Sequence, residues 1–315
     1  MKQLIVWLAA FLAVSANSAA EEPTAGAYHP KCPAAYDRLV QKVPEIDGPT
    51  EADVQRLIGR DPQAFLEYGE KCLVPVSDAK SLTINFLKDH LVVLFKLVGD
   101  QYSVLCSGFR IARDLIVTAQ HCRTPRVQVR VRLFSSPTTD LRVIKRVYPV
   151  EFLRLTDASD FMIYQIEDPG DNYRVDLQHF SHDRLRQQAV IVVAASAVDF
   201  RYILNSDPDR WTEAVRFSRV NGARLFESEE DNLLSRPAHC LIHGSPTYPG
   251  MSGAAVIGIW ADKQAKHGAR LAIIGVHLRS GRVADRAKID EVNCGRHSEL
   301  NMGISLPKAV FEAIQ

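Results

Sequence analysis

Leu115-Ile116-Val117-Thr118-Ala119-Gln120-His121-Cys122 begins as a run of apolar and β-branched residues and stops on a glutamine, an imidazole and a thiol. Ile, Val and Thr are stiff at χ1 and pack well on a pleated surface, so Leu115 to Ala119 reads as a short strand with His121 just beyond its end. The same texture recurs outward from it. Runs at His90 to Val98, Ser103 to Ile111, Val127 to Phe134, Arg142 to Val150, Phe161 to Ile166, Ala189 to Ala195 and Leu271 to Leu278 are rich in Val, Ile, Leu and Phe. Gly, Pro, Asp and Ser separate them. Many short strands without interleaved helices predict an all-β domain from about Ser81 onward, either a sandwich or a barrel. No internal repeat supports a solenoid or propeller.

The chain before Ser81 has a different period. Ala35, Leu39 and Val43 share one helical face, and Val54, Leu57, Phe65 and Tyr68 continue a second amphipathic stretch. Gly48-Pro49-Thr50-Glu51 divides the two, with a helix start expected near Thr50. Earlier still, Lys2, the apolar run Leu4 to Val14 and the small residues Ser18-Ala19-Ala20 have the layout of a secretory signal peptide. The apolar run is shorter than the about 20 residues of a spanning helix. The expected organisation is therefore a signal peptide over 1–20, a helical propeptide or accessory clamp over 21–80, and a main domain over 81–315. Pro307 to Gln315 is expected to close the chain as a short helix.

With 315 residues and a net charge of +1, the chain carries no long-range field suited to nucleic acid or an anionic membrane surface. A protein or peptide partner stays open, and a monomer with no cofactor is expected. Export places the 6 cysteines in an oxidising compartment, where an even number suits disulfides. Asn-x-Ser/Thr is absent from the sequence, which favours a bacterial periplasm or secretion into the medium. Thiolate pairs at metal-ligand spacing are also missing, so no metal is expected in the chemistry.

Three segments suggest a chemistry. A hydroxyl is a poor nucleophile at neutral pH unless an imidazole, fixed in position and tautomer, takes its proton. His121 at a strand end provides such a base, and a disulfide from Cys106 to Cys122 would hold its seat. Asp160 stands where a loop enters the apolar run Phe161-Met162-Ile163-Tyr164, suited to orient the imidazole, with Asp157 as the alternative carboxylate. Pro249-Gly250-Met251-Ser252-Gly253-Ala254 sets one serine between two glycines just before a strand. There the amides of Gly250 and Ser252 could stabilise a developing oxyanion while Ser252 attacks.

Thr118-Ala119-x-His121-Cys122, Asp160 before an apolar strand and Gly250-x-Ser252-Gly253, in the order His, Asp, Ser, resemble the trypsin/chymotrypsin family. Ile274-Gly275-Val276-His277 and Asn301-Met302-Gly303-Ile304 resemble the late strands of bacterial glutamyl endopeptidases. The resemblance covers roughly Ser81 to Gln315 and implies two perpendicular six-stranded antiparallel β-barrels with the site between them. It also implies a serine endopeptidase working through an acyl-enzyme.

Met251 occupies the place of the acidic residue that zymogen-type members pair with a new amino terminus, so maturation by that switch is not expected. Pro246 stands where members that cut at basic residues carry an aspartate. Thr247 and His277 match the positions that read a glutamate side chain, with Arg279 nearby as a further positive charge, so a preference for Glu before the cut is the leading expectation. Cys240 and Cys294 flank the serine loop and the pocket strand, where a pair would brace the region as disulfides do elsewhere in the family; Cys32 and Cys72 flank the helical segment. The competing reading is a catalytically silent protease-fold binding module, against which the intact set His121, Asp160 and Ser252 argues. An esterase on an α/β scaffold does not fit the strand-rich pattern.

Overall fold

The computed structural model describes residues 34–35, 61–78, 81–98, 101–123, 128–134, 142–148, 161–167, 189–195, 213–218, 240–243, 246–247, 250–261, 269–280 and 301–305. The signal-like segment, most of the N-terminal helical stretch, the expected helix start near Thr50 and the expected C-terminal helix lie outside these residues.

Helix α1 (Pro62–Cys72) starts where Asp61 accepts a hydrogen bond from the Ala64 amide at 3.1 Å, with Pro62 in the first turn. Proline there costs nothing, because its missing N–H would have had no partner inside the helix. Phe65, Tyr68 and Cys72 form the buried face of α1. The chain then leaves the helix at once and extends as β1 (Leu73–Pro75), a strand that the helical reading of this segment missed. A second helix, α2 (Ser81–His90), also stands in what reads as strand-rich sequence, with Leu87 and His90 buried.

Strands β2 (Leu91–Val98), β3 (Gln101–Arg110), β4 (Leu115–Ala119), β5 (Val129–Leu133), β6 (Arg142–Tyr148) and β7 (Phe161–Ile166) close into an antiparallel barrel in the order β2-β3-β4-β7-β6-β5. Closure leaves no strand edge exposed, and Leu91 to Phe95 is buried on both faces of β2 rather than alternating because one face lines the barrel and the other lies toward β8 of the second layer.

The second layer joins β1 to β8 (Ala189–Ala195), β9 (Val215–Ser218), β10 (Cys240–His243), β11 (Ala255–Ala261), β12 (Ala269–Ser280) and β13 (Asn301–Ser305), in the order β1-β9-β8-β11-β12-β13-β10. The all-β architecture expected from the sequence is present. Among the described residues the first barrel has the expected six strands, whereas the second half is a seven-stranded sheet in place of the expected six-stranded barrel, because the segment preceding the first barrel adds β1 to its edge through the pairs Leu73↔Ser218 to Pro75↔Arg216. Val74 and Val76 belong to the same hydrophobic core as both layers, with β2 and β3 touching β8 across the interface.

Candidate active site

The seat of His121 follows from the strand that precedes it. β4 pairs with β7 up to Ala119↔Phe161, and a single 3-10 turn, Gln120–Cys122, begins at the next residue. The Arg123 amide closes that turn on the Gln120 carbonyl at 2.9 Å. Cys122 is disulfide-bonded to Cys106 on β3, Cα to Cα 6.1 Å, so the turn is tied to the neighbouring strand as well. His121 is half-buried, and one of its ring nitrogens and the two sulfurs lie within 4.8 Å of one another. Those sulfurs are bonded to each other and offer no thiolate.

The serine loop is shaped by two glycines in the left-handed region, Gly250 at φ 92° and Gly253 at φ 81°. A Cβ on Gly253 would stand 2.3 Å from the Ser107 carbonyl oxygen and 2.7 Å from the Ala119 nitrogen, so no other residue fits there. The closeness reflects a direct seam between the two layers. The Ser107 amide donates to the Ser252 carbonyl at 2.9 Å, and the Ser107 hydroxyl donates to the Gly250 carbonyl at 3.0 Å. The Thr118 hydroxyl donates to the Ser107 carbonyl at 2.7 Å, linking β4 into the same seam.

On the far side, the Gly253 amide donates to the His277 carbonyl and the His277 amide to the Ala254 carbonyl, each at 2.8 Å. Cys122 Sγ lies 3.9 Å from the Ser252 carbonyl oxygen, a contact without a proton to share. The residue after His121 therefore touches the backbone of Ser252. Among the described residues no hydrogen bond joins the Ser252 hydroxyl to the His121 ring; catalytic hydrogen bonds often shorten only with substrate bound.

His277 on β12 is 2 % exposed and His243 on β10 is fully buried. They face the same side of the sheet, since β13 lies between them with His277↔Gly303 and Leu241↔Gly303 in register. The two rings meet, His243 Nε2 to His277 Nδ1 at 3.2 Å, and a Cβ on Gly303 would stand 2.4 Å from the Val276 carbonyl oxygen. Burial lowers the pKa of His243 to about 3. Burial also holds His277 well below the usual imidazole value, helped by the charges of His243 and His121. Both rings are neutral at pH 7, so of the protonated and the hydrogen-bonding imidazole that acid recognition allows, burial favours the second. His243 was not singled out from sequence, since a lone histidine at the end of Leu241-Ile242 has no motif around it.

Thr247 and Pro246 are half-buried in the loop between β10 and Gly250. Arg279 is described by its backbone alone, opposite Met302 at a register irregularity that follows His277. Cys240 pairs in register with Ile304, and Cys72 is disulfide-bonded. Cys32, Cys294, Asp157 and Asp160 lie outside the described residues. Met251 is fully buried.

The trypsin-like peptidase domain family matches residues 106–258. No curated protein matches the chain. Among solved structures it is similar to the tobacco vein mottling virus protease, with 12% identity and TM-score 0.41 over 72% of this chain and 82% of that one. It is also similar to a catalytically active tobacco etch virus protease complexed with product, with 14% identity and TM-score 0.41 over 74% of this chain and 79% of that one. A Glu endopeptidase in complex with MPD is similar at 14% identity and TM-score 0.44, over 72% of this chain and 88% of that one. The family match runs from the disulfide that braces the His121 turn, through the Ser252 loop, into the strand after it, so this stretch of the chain carries a trypsin-like peptidase domain.

Proposed function

We propose that the protein is a secreted or periplasmic serine endopeptidase in which Ser252 attacks the peptide carbonyl, His121 takes and returns the proton, and Asp160 orients His121. The observation that carries this reading is the seam at Ser107, which seats the Ser252 backbone against the disulfide-braced turn of His121. A carbonyl carbon attacked by Ser252 Oγ becomes tetrahedral and its oxygen anionic; the Gly250 and Ser252 amides are the donors for that charge. The proton taken by His121 passes to the leaving amine, leaving an ester on Ser252 that water hydrolyses by the reverse path.

The register supports the role given to Asp160. Phe161 pairs with Ala119, so the start of β7 adjoins the turn that carries His121, and the residue just before Phe161 is the carboxylate. The helix-strand unit α1–β1 serves as a packing clamp: Phe65, Tyr68, Leu73 and Val74 are all buried, and removing β1 would expose the edge of β9.

Thr247 and His277 form the pocket that reads the residue before the cut, and glutamate is the preferred side chain. A neutral His277 reads it by a hydrogen bond, so seating a glutamate there takes up one proton, on the imidazole or on the carboxyl group, because a bare buried carboxylate is costly. Glutamine needs no such proton. Cleavage of a peptide library should therefore leave Glu as the new carboxyl-terminal residue. The ratio of kcat/KM for Glu over Gln should rise as pH falls from 8 to 5, by up to about tenfold per pH unit. A ratio that stays level, or falls toward acid, would remove His277 as the reader. A folded, processed chain that cuts nothing in the library would favour the binding-module reading.

A further inference from the structure

The serine loop adopts a conformation that its own sequence does not secure. Two of its residues are glycines at positive φ, the most permissive of all residues, and Met251 between Gly250 and Ser252 is apolar and fully buried, with no polar group to anchor the turn. Yet the direction of each peptide plane decides where the Gly250 and Ser252 amides point, since N–H and C=O of one planar peptide face opposite ways.

Three carbonyls in succession are held. Gly250 C=O accepts from the Ser107 hydroxyl, Met251 C=O accepts from the Ala254 amide at 2.9 Å, and Ser252 C=O accepts from the Ser107 amide. Fixing the Met251 carbonyl on Ala254 aims the Ser252 amide the other way. Fixing the Gly250 carbonyl sets the Gly250–Met251 plane, which carries neither the Gly250 nor the Ser252 amide itself but joins the residues that do, and which neither the turn nor the backbone seam holds. Neither the Gly250 nor the Ser252 amide is spent on a partner among the described residues.

We propose that the Ser107 hydroxyl is a positioning residue, a latch from the first barrel that keeps the Gly250–Ser252 loop in its anion-accepting form. The proposal rests on the peptidase reading above, since it assigns Ser107 a part in that reaction. Ser107 is fully buried, and its own carbonyl is fixed by Thr118, so the latch is rigid on the donor side. Without the hydroxyl, the half-buried Gly250 carbonyl is left short of a donor, and rotation of the Gly250–Met251 peptide becomes the cheaper state.

The test uses two pairs of variants of the processed chain, wild type against Ser107→Ala and Ser107→Thr against Ser107→Val. The second pair has one shape and differs only in the hydroxyl, so any overpacking cancels. In both pairs, loss of the hydroxyl is expected to lower kcat about 10- to 100-fold with KM changed less than about threefold. Affinity for a peptide boronate, whose tetrahedral adduct presents an oxygen to the same amides, should fall by a similar factor. Equal kcat and equal boronate affinity within both pairs, with only the melting temperature following the hydroxyl, would make Ser107 a packing residue and overturn the proposal. A wild-type chain that hydrolyses no peptide would overturn the peptidase reading itself, and the latch with it; an active wild type with an indifferent Ser107 sinks the latch alone.

Discussion

Replacing Ser252 with alanine is expected to lower kcat by about 10⁴- to 10⁶-fold while KM stays within a few-fold. His121→Ala should fall in the same range, and the double variant no lower than the weaker single variant, because nucleophile and base act as one unit and the second loss removes nothing that still works. Asp160→Asn should cost about 10⁴-fold, since an amide in place of the carboxylate favours the wrong tautomer of His121. The non-additivity is the informative part. Two residues that merely shaped a binding surface would lose affinity in roughly independent steps. Steady-state kinetics on a cleaved peptide, with the four proteins at equal folded concentration, reads this directly; additive losses confined to KM would contradict the shared role.

Acid should destabilise the fold through the histidine pair. His243 has a folded pKa of about 3, and an unfolded histidine titrates near about 6.5. Within that window the unfolded chain holds a proton that the folded chain refuses, so stability falls as pH drops from about 6.5 toward 3 and is fully present above about 6.5. His277 is depressed by the same burial and adds with the same sign. The slope approaches about 1.4 kcal/mol per pH unit for each ring, as an upper scale, since the two rings share one hydrogen bond and do not titrate independently. Urea midpoints measured between pH 7.5 and 4.5 should fall steeply for the wild type. They should fall less for His243→Leu, which leaves a single ring to charge. Parallel slopes for the two proteins would mean that the pair does not govern acid stability.

The β architecture was readable because its strands carry their own signal. Ala189–Ala195 is an uninterrupted apolar run and Phe161–Ile166 is broken only by Gln165, and the ends of both coincide with the strands observed. β1 was hidden because Leu73-Val74-Pro75 is too short to show a period; it is a strand only because β9 offers an edge. α2 was hidden for a related reason. Ser81-Leu82-Thr83-Ile84-Asn85-Phe86-Leu87 mixes helix and strand formers, and packing of Leu87 and His90 decides the outcome.

The site divides in the same way. His121 and Ser252 stand in local patterns of strand end and flanking glycine that a sequence displays. Ser107 and His243 act through partners more than 30 residues away, at Gly250 and His277, so neither has a neighbouring motif to reveal it. In sequence Ser107 is one small polar residue inside the run Ser103 to Ile111, and only the cross-layer hydrogen bonds supply it with a role. The charge state of His277 depends on its burial, a quantity no local pattern contains.

The measurement that bears most directly on the central claim is labelling of the purified, processed chain with a fluorophosphonate probe, followed by peptide mapping of the modified residue. An ordinary serine does not react; one whose proton is taken by a seated imidazole does. The account predicts one phosphonylated residue, Ser252, with labelling lost in Ser252→Ala and in His121→Ala. A folded chain that remains unlabelled, or that is labelled at another serine, would contradict it.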